Sequence, residues 1–322
     1  MSKTAFITGI AGQDGSYLSE YLKEQGYRVT GIVRRNSVVE HQKDRLSELL
    51  GIEFRYGDLL DPSSINSAIQ EFCPDEIYNL AAQSHVRIST DIPVFTTSTN
   101  ALGVLNMLES FKLLTTTTRF YQASSSEMFG TSVDEDGFQR ESTPMNPVSP
   151  YGCAKVFGYN ITRHYREAYG RFISNGILFN HESPRRGSNF VTNKVVKSAV
   201  EIKLGRKSVL EMGNLDSFRD WGHSADYVRA MHAILTADLP SDYVVATGST
   251  HSVRELCEYV FTQLDLDYRD YVTQNPKYLR PQELKYLRGD SSRIRAELGW
   301  KPTYTFESLL DEMIAHWIRI LS

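Results

Sequence analysis

Thr4-Ala5-Phe6-Ile7 runs straight into Thr8-Gly9-Ile10-Ala11-Gly12-Gln13-Asp14-Gly15, and this junction decides the fold. The apolar run is short enough for a buried strand. Tyr17, Leu18, Tyr21 and Leu22 then recur at helical spacing, which predicts a helix over Ser16–Gln25 that Gly26 ends. Glycines at positions 9, 12 and 15 let the turn tighten and let backbone N–H groups approach a pyrophosphate at the helix N-terminus. A glycine-rich turn with no ligand is the bland alternative, and the strand-to-helix setting argues against it.

Working outward, strands are expected at Tyr27–Val33, Glu53–Tyr56, Glu76–Leu80, Thr118–Gln122 and Phe172–Leu178, with helices at Phe95–Leu113 and Tyr151–Tyr169. Strands alternating with helices imply right-handed crossovers and an α/β, doubly wound parallel sheet of the Rossmann kind. From about Asn180 the rhythm loosens. We expect a dinucleotide-binding domain over 1–179, with segments near 214–250 returning to it, and a smaller interleaved substrate domain mainly over 180–322.

Composition narrows the function classes. Of 322 residues, 41% are hydrophobic and 23% charged, and the net charge is −4, so no global positive field calls for nucleic acid or a membrane surface. No apolar run approaches the roughly 20 residues of a membrane helix. The run over residues 4–10 is too brief for a signal core and breaks at Gly9. Cys73, Cys153 and Cys257 stand far apart with no C-x-x-C pair, which points to a reduced, metal-free, cytoplasmic protein.

Two sites of chemistry follow. At the end of the second strand a carboxylate would select NAD through the ribose 2′-OH, but Arg34-Arg35 stand there, and a guanidinium fork suits the 2′-phosphate of NADP. A solvated strand end or a subunit contact is the alternative for that pair. Asp58 suits either an adenine amino group or a helix N-cap in Asp58-Leu-Leu-Asp-Pro. Tyr151-x-x-x-Lys155 places a phenol and an ammonium one helical turn apart, so that the ammonium lowers the phenol below its free value of about 10. Ser125, at a strand end, is placed to hydrogen-bond the same substrate oxygen. Glu127 adds a carboxylate that simple hydride transfer does not need.

The glycine spacing, Asn79-Leu80-Ala81-Ala82 and Tyr151-x-x-x-Lys155 together resemble the extended short-chain dehydrogenase/reductase superfamily. A narrower resemblance runs through nearly the whole chain. Ala81-Ala82-Gln83-Ser84-His85-Val86, Asn180-His181-Glu182-Ser183-Pro184-Arg185-Arg186-Gly187 and Phe190-Val191-Thr192-Asn193-Lys194 are similar to the GDP-mannose 4,6-dehydratases. So are Leu215–His223, Ala246-Thr247-Gly248 and Arg280-Pro281-x-Glu283.

That resemblance implies catalytic roles for Ser125, Glu127, Tyr151 and Lys155, with serine at 125 where the family commonly has threonine. Serine lacks the methyl that restricts χ1. It implies cofactor contacts from Gly9, Gly12, Gln13, Asp14 and Gly15, from Arg34, Arg35, Asp58 and Leu59, and from Leu80, Ala81, Ala82 and Ser84. His181 and Arg186 are implied around the nicotinamide end and the 2′-phosphate, although a structural histidine reads equally well at 181. For a GDP-sugar it implies Ser84, Ser125 and Glu127, then Asn180, Val191, Lys194, Arg219 and Arg280, with Glu283 on a ribose hydroxyl. His85 and His223 have no assigned chemistry, and Trp221 and Trp300 read as packing. Arg35–His41 resembles a loop that joins subunits, so a homo-oligomer is expected, a tetramer before a dimer. Two alternatives stay open: the same dehydration on a relative such as a GDP-manno-heptose, and a non-catalytic NADP-binding regulatory protein.

Overall fold

The computed structural model describes residues 2–34, 51–279 and 282–322. Thr4–Thr8 (β1) is buried at every position, as a parallel strand covered on both faces must be. Around it a seven-stranded parallel sheet is built. On one side lie Arg28–Val33 (β2) and Glu53–Tyr56 (β3); on the other lie Glu76–Asn79 (β4), Arg119–Ser125 (β5), Ile173–Leu178 (β6) and the strand Asp242–Val245. The chain order reverses between β1 and β4, which opens the crevice where such sheets bind ligands.

Helix Gln13–Glu24 (α1) starts three residues earlier than its apolar spacing suggests, directly after Gly12. Asp61 caps helix Pro62–Phe72 by accepting from Ser63 N and Ser64 N, with Pro62 at the first turn. The cap considered for Asp58 therefore belongs to Asp61. Ser149 caps helix Pro150–Tyr169 through Gly152 N at 3.0 Å, and Gly170 ends it.

The helix expected over Phe95–Leu113 is not continuous. Pro93–Thr97 passes through a π-helical turn, Ser98–Leu102, before Gly103–Lys112 resumes α geometry. The turn lets Asn100 bond the Gln83 peptide on both sides, accepting from N at 2.8 Å and donating to O at 2.9 Å. Tertiary bonding thus overrides the α register, as π-turns commonly do near functional sites.

Apolar side chains cover both sheet faces. Leu18, Leu22, Tyr227 and Met231 pack on one; Ile65, Ile69, Met107 and Phe111 pack on the other. A second core joins helices Val191–Lys203, Val253–Thr262 and Phe306–Leu321 through Val196, Leu256, Phe261, Leu309 and Met313. The chain crosses between the two cores several times. Helix Ser224–Thr236 and strand Asp242–Val245 lie on the sheet side, but Leu215 packs in the second core. Ile294 and Trp300, later in the chain, return to the sheet-side core as well.

Candidate active site

Two connected clefts open at the C-terminal edge of the sheet. The first, about 440 Å³, is lined by the β1–α1 turn, the ends of β2 and β4, Asp58 and Leu59. Gly9 has φ 69°, a left-handed conformation, and at Gly15 a Cβ would stand 2.6 Å from the Ile10 Cα. The turn therefore holds the helix start against the strand, with no side chain capping Gly12. This cradle fits a dinucleotide pyrophosphate. Gly12, Gln13, Asp14, Leu80, Ala81, Ala82 and Ser84 all line this cleft. Arg34 lines it too, with its guanidinium carbon 5.6 Å from the Phe95 ring centroid. Arg35 and Arg280, and the Arg35–His41 segment, lie outside the described residues.

Gln13 and Asp14 also tie the turn to the far wall. Gln13 donates to His181 O at 3.1 Å and accepts from Ser183 Oγ at 2.8 Å. Asp14 pairs with His181 Nε2 at 2.8 Å, and His181 Nδ1 bonds Phe179 O at 2.7 Å. Both ring nitrogens are thus engaged by the protein, and the ring stacks on Tyr227 at 4.5 Å. His181 lines the second cleft and also ties down the turn.

The second cleft, about 760 Å³, contains Ser125, Glu127, Tyr151 and Lys155 on one wall. Ser125 is the last residue of β5, and its hydroxyl accepts from Glu127 N at 3.2 Å, opening the single 3-10 turn that carries Glu127. All four side chains are buried. Lys155 Nζ donates to Ala123 O at 2.8 Å and lies 5.7 Å from the Tyr151 ring centroid. Burial pushes Tyr151 up to about 12, with the Ser125 hydrogen bond and the Arg186 charge opposing and Glu127 and Asp14 adding to the rise. Burial also pulls Lys155 down to about 8, against the Asp14 charge. For both groups burial is the largest cause.

The same cleft runs on past Ser84, which lines both clefts, to Asn180, Val191, Lys194, Arg219 and Glu283. Arg219 and Glu283, read separately from the sequence, stand 3.4 Å apart, and Arg219 also donates to the carbonyls of Phe218 and Leu284. Lys194 donates to Glu211 O at 2.6 Å with its ammonium 3.8 Å from the Tyr278 ring centroid. Burial and then the neighbouring Lys207 hold it below its ordinary range. His85 and His223 act as helix caps, accepting from Ile88 N and Ala225 N. Trp221 stacks on Phe306, and Trp300 donates to Asp226 O.

Several lining residues escaped sequence reasoning. Phe95 and Thr99 face the first cleft, Phe190 faces both, and Lys277 and Tyr278 face the second. The last two lie one residue short of the Arg280-Pro281-x-Glu283 motif, which is the signal that could have found them. Among the described residues no group of three His, Cys, Asp or Glu side chains could hold a metal, and no helix is long and apolar enough to cross a membrane.

The fold and paired clefts define a Rossmann-type short-chain dehydrogenase/reductase architecture. Three solved structures share it at 21–24% identity. They are the RMD protein of Pseudomonas aeruginosa complexed with NADPH (24% identical, TM-score 0.82, 99% of this chain and 100% of that one), UDP-glucose 4-epimerase of Thermus thermophilus with NAD (24%, 0.85, 98% of each), and dTDP-glucose 4,6-dehydratase of Bacillus anthracis with NAD (21%, 0.84, 99% and 97%). The chain belongs to the GDP-mannose 4,6-dehydratase family: residues 6–313 match the model of that name. Enzymes named GDP-mannose 4,6-dehydratase are 45% identical in Drosophila melanogaster, over 99% of this chain and 87% of the relative. The Homo sapiens enzyme is 45% identical over 96% and 90%, and that of Vibrio cholerae 42% over 97% and 93%.

Proposed function

We infer that the protein catalyses 4,6-dehydration of GDP-mannose, giving GDP-4-dehydro-6-deoxy-D-mannose and water. One observation carries the reaction type: a buried carboxylate, Glu127, shares a cleft with Tyr151, Ser125 and Lys155. A reductase or epimerase of this fold needs the tyrosine and lysine but no separate base at C5.

The nicotinamide dinucleotide supplies a hydride acceptor for sugar C4 and a hydride donor for C6, ending unchanged. Tyr151 takes the C4 hydroxyl proton, and Ser125 orients that oxygen. The C4 carbonyl acidifies the neighbouring C5–H, and Glu127 collects that proton. The same proton then goes to the C6 hydroxyl, which leaves as water while the C5–C6 double bond forms, and Tyr151 returns its proton to C5 as C6 is reduced. Lys155 holds the cofactor ribose. Arg34, at the end of β2 where a carboxylate would select NAD, supports NADP as the cofactor.

Arg219, Lys194 and Asn180 are assigned to the GDP end and Glu283 to a ribose hydroxyl. A tetramer is preferred to a dimer on the Arg35–His41 resemblance, and a cytoplasmic setting on the three widely separated cysteines. Incubation with GDP-mannose and catalytic NADP, followed by mass measurement, tests the reaction. Loss of one water with no net NADPH consumption is expected. Stoichiometric NADPH use, or a product of unchanged mass, would reject it.

A further inference from the structure

Asp220 is the single residue between two short strands that belong to different sheets. Phe218–Arg219 pairs antiparallel with His251–Ser252, whereas Trp221–His223 pairs parallel with Asn180–Glu182, which sets Trp221 beside Asn180. A two-residue strand makes too few ladder bonds to hold its own placement. Alternate residues of an extended chain face opposite ways. Arg219 and Trp221 line the second cleft, and the Asp220 side chain between them turns away from it, toward the edge of the main sheet.

There the fully buried Asp220 carboxylate grips a turn. Oδ1 accepts from Thr247 N at 2.9 Å and from Thr247 Oγ1 at 2.7 Å, and Oδ2 accepts from Gly248 N at 2.8 Å. The turn lies just past the strand Asp242–Val245, and Gly248 is left-handed with φ 87°. Arg288 Nε donates to Gly248 O and the Arg295 guanidinium to Thr247 O, both at 2.9 Å, so the turn is itself immobilised. Burial pushes the carboxyl up to about 6 against the hydrogen bonds from Thr247, Gly248 and Gly289. A carboxylate taken this far out of water is costly to keep. The dehydration chemistry does not use it.

On the cleft side, Arg219 is held by the Phe218 and Leu284 carbonyls, both at 2.8 Å, and by Glu283 at 3.4 Å. Its own backbone is fixed from the other side, through residue 220. A displacement there would carry Arg219 with it, and would also move Trp221 against Asn180.

We propose that Asp220 is a positioning residue for nucleoside diphosphate binding, whose clamp on Thr247 and Gly248 fixes the joint between the two short strands and so aims the Arg219 guanidinium into the cleft. This rests on the assignment of Arg219 to the GDP end made above.

Calorimetric titration of GDP into the NADP-loaded enzyme tests it. Asp220→Asn keeps the shape but sets an amide donor against a peptide N–H. GDP affinity should fall about tenfold, and NADP affinity, read at the first cleft, should not change. Arg219→Met should weaken GDP at least as much. Adding Asp220→Asn to Arg219→Met should then cost nothing further, because the group being aimed is gone. Thr247→Val removes only the hydroxyl bond and should act in the same direction by less; it decides the matter if Asp220→Asn is too unstable to titrate.

A lower Tm with wild-type GDP affinity in both Asp220→Asn and Thr247→Val would make the carboxylate a purely structural group and overturn the proposal. Losses that add in the double variant would overturn it too, because Asp220 would then act independently of Arg219. Wild-type GDP affinity in Arg219→Met would instead remove Arg219 from the GDP end, sinking that assignment and the proposal with it.

Discussion

The two clefts are built by opposite means. The first is a backbone device: Gly9, Gly12 and Gly15, the short side chains Ala81, Ala82 and Ser84, and the start of α1, all within the first quarter or so of the chain. The second is a side-chain device, gathered from β5, helix Pro150–Tyr169, the 180–194 segment, the stretch around Arg219 and the loop at Glu283. A cradle of backbone groups fails when a Cβ intrudes. A constellation of side chains fails when one functional group is exchanged. Single substitutions should therefore cost geometry and cofactor in the first cleft, and chemistry with little loss of fold in the second.

The largest expected effect lies in the second cleft. Tyr151→Phe should lower kcat on GDP-mannose by roughly 10²–10⁴-fold, the range for a lost acid–base group, with NADP binding and Tm nearly unchanged. Glu127→Gln should cause a loss of similar order but at a later step, so that C4 deuterium still reaches bound cofactor in a single turnover. Surviving turnover in the first variant would mean another group takes the proton. Wild-type turnover in the second would remove Glu127 as the C5 base.

Gly15→Ala tests the first cleft from the other direction. The added methyl would press on the Gly9 carbonyl and stand 2.6 Å from the Ile10 Cα, backbone that cannot rotate away. The overpacking should cost about 1–3 kcal/mol, read as a lower Tm and weaker NADP binding, with GDP-mannose KM less affected than the affinity for cofactor. An unperturbed Tm would show that the turn has slack and would blur the contrast between the clefts.

That contrast also explains what could be read from the sequence. Strand β3 falls where the apolar pattern puts it, and the Ser125–Glu127 and Tyr151–Lys155 spacings are local enough for side-chain direction to follow from one element each. The α register fails through residues 98–102 because the Asn100–Gln83 bonds, 17 residues apart in sequence, outweigh a periodicity that continues unbroken. The pairing of Arg219 with Glu283 spans 64 residues and has no local trace. Lys155 stands at the expected spacing, but its Nζ bond to Ala123 O, 32 residues away in sequence, has no local trace. Local chemistry is legible; desolvation and long-range closure are not.

A smaller effect is expected at the adenosine end of the first cleft. Arg34→Asp exchanges a cation for a carboxylate at the end of β2, the position at which folds of this kind distinguish the ribose 2′-OH from a 2′-phosphate. NADP affinity should fall and NAD affinity rise, changing the ratio of the two by tenfold or so, about 1.4 kcal/mol. Overall kcat at saturating cofactor should stay near wild type. An unchanged NADP-to-NAD ratio would take Arg34 out of the 2′-phosphate site and leave that selection to residues outside the backbone cradle.

The smallest effect concerns the tie between the clefts, the Asp14–His181 pair. Burial alone would raise Asp14, but the His181 charge and hydrogen bond, with Arg186, hold it below its ordinary 3.8. Burial would likewise lower His181, but the Asp14 charge and hydrogen bond hold it above its ordinary 6.5. A depressed carboxylate stabilises the fold above pH 3.8 and loses that contribution as pH falls through its folded value; a raised histidine stabilises it below pH 6.5 and loses it as pH rises through its folded value. The pair should therefore contribute most between those limits. Tm measured against pH for the wild type and His181→Gln should differ most between about pH 4 and 6.5, by a few degrees, and converge on the alkaline side. A difference that does not vary with pH would mean His181 holds the turn through its stacking on Tyr227 and its bond to Phe179 alone, so that the backbone cleft is anchored without charge.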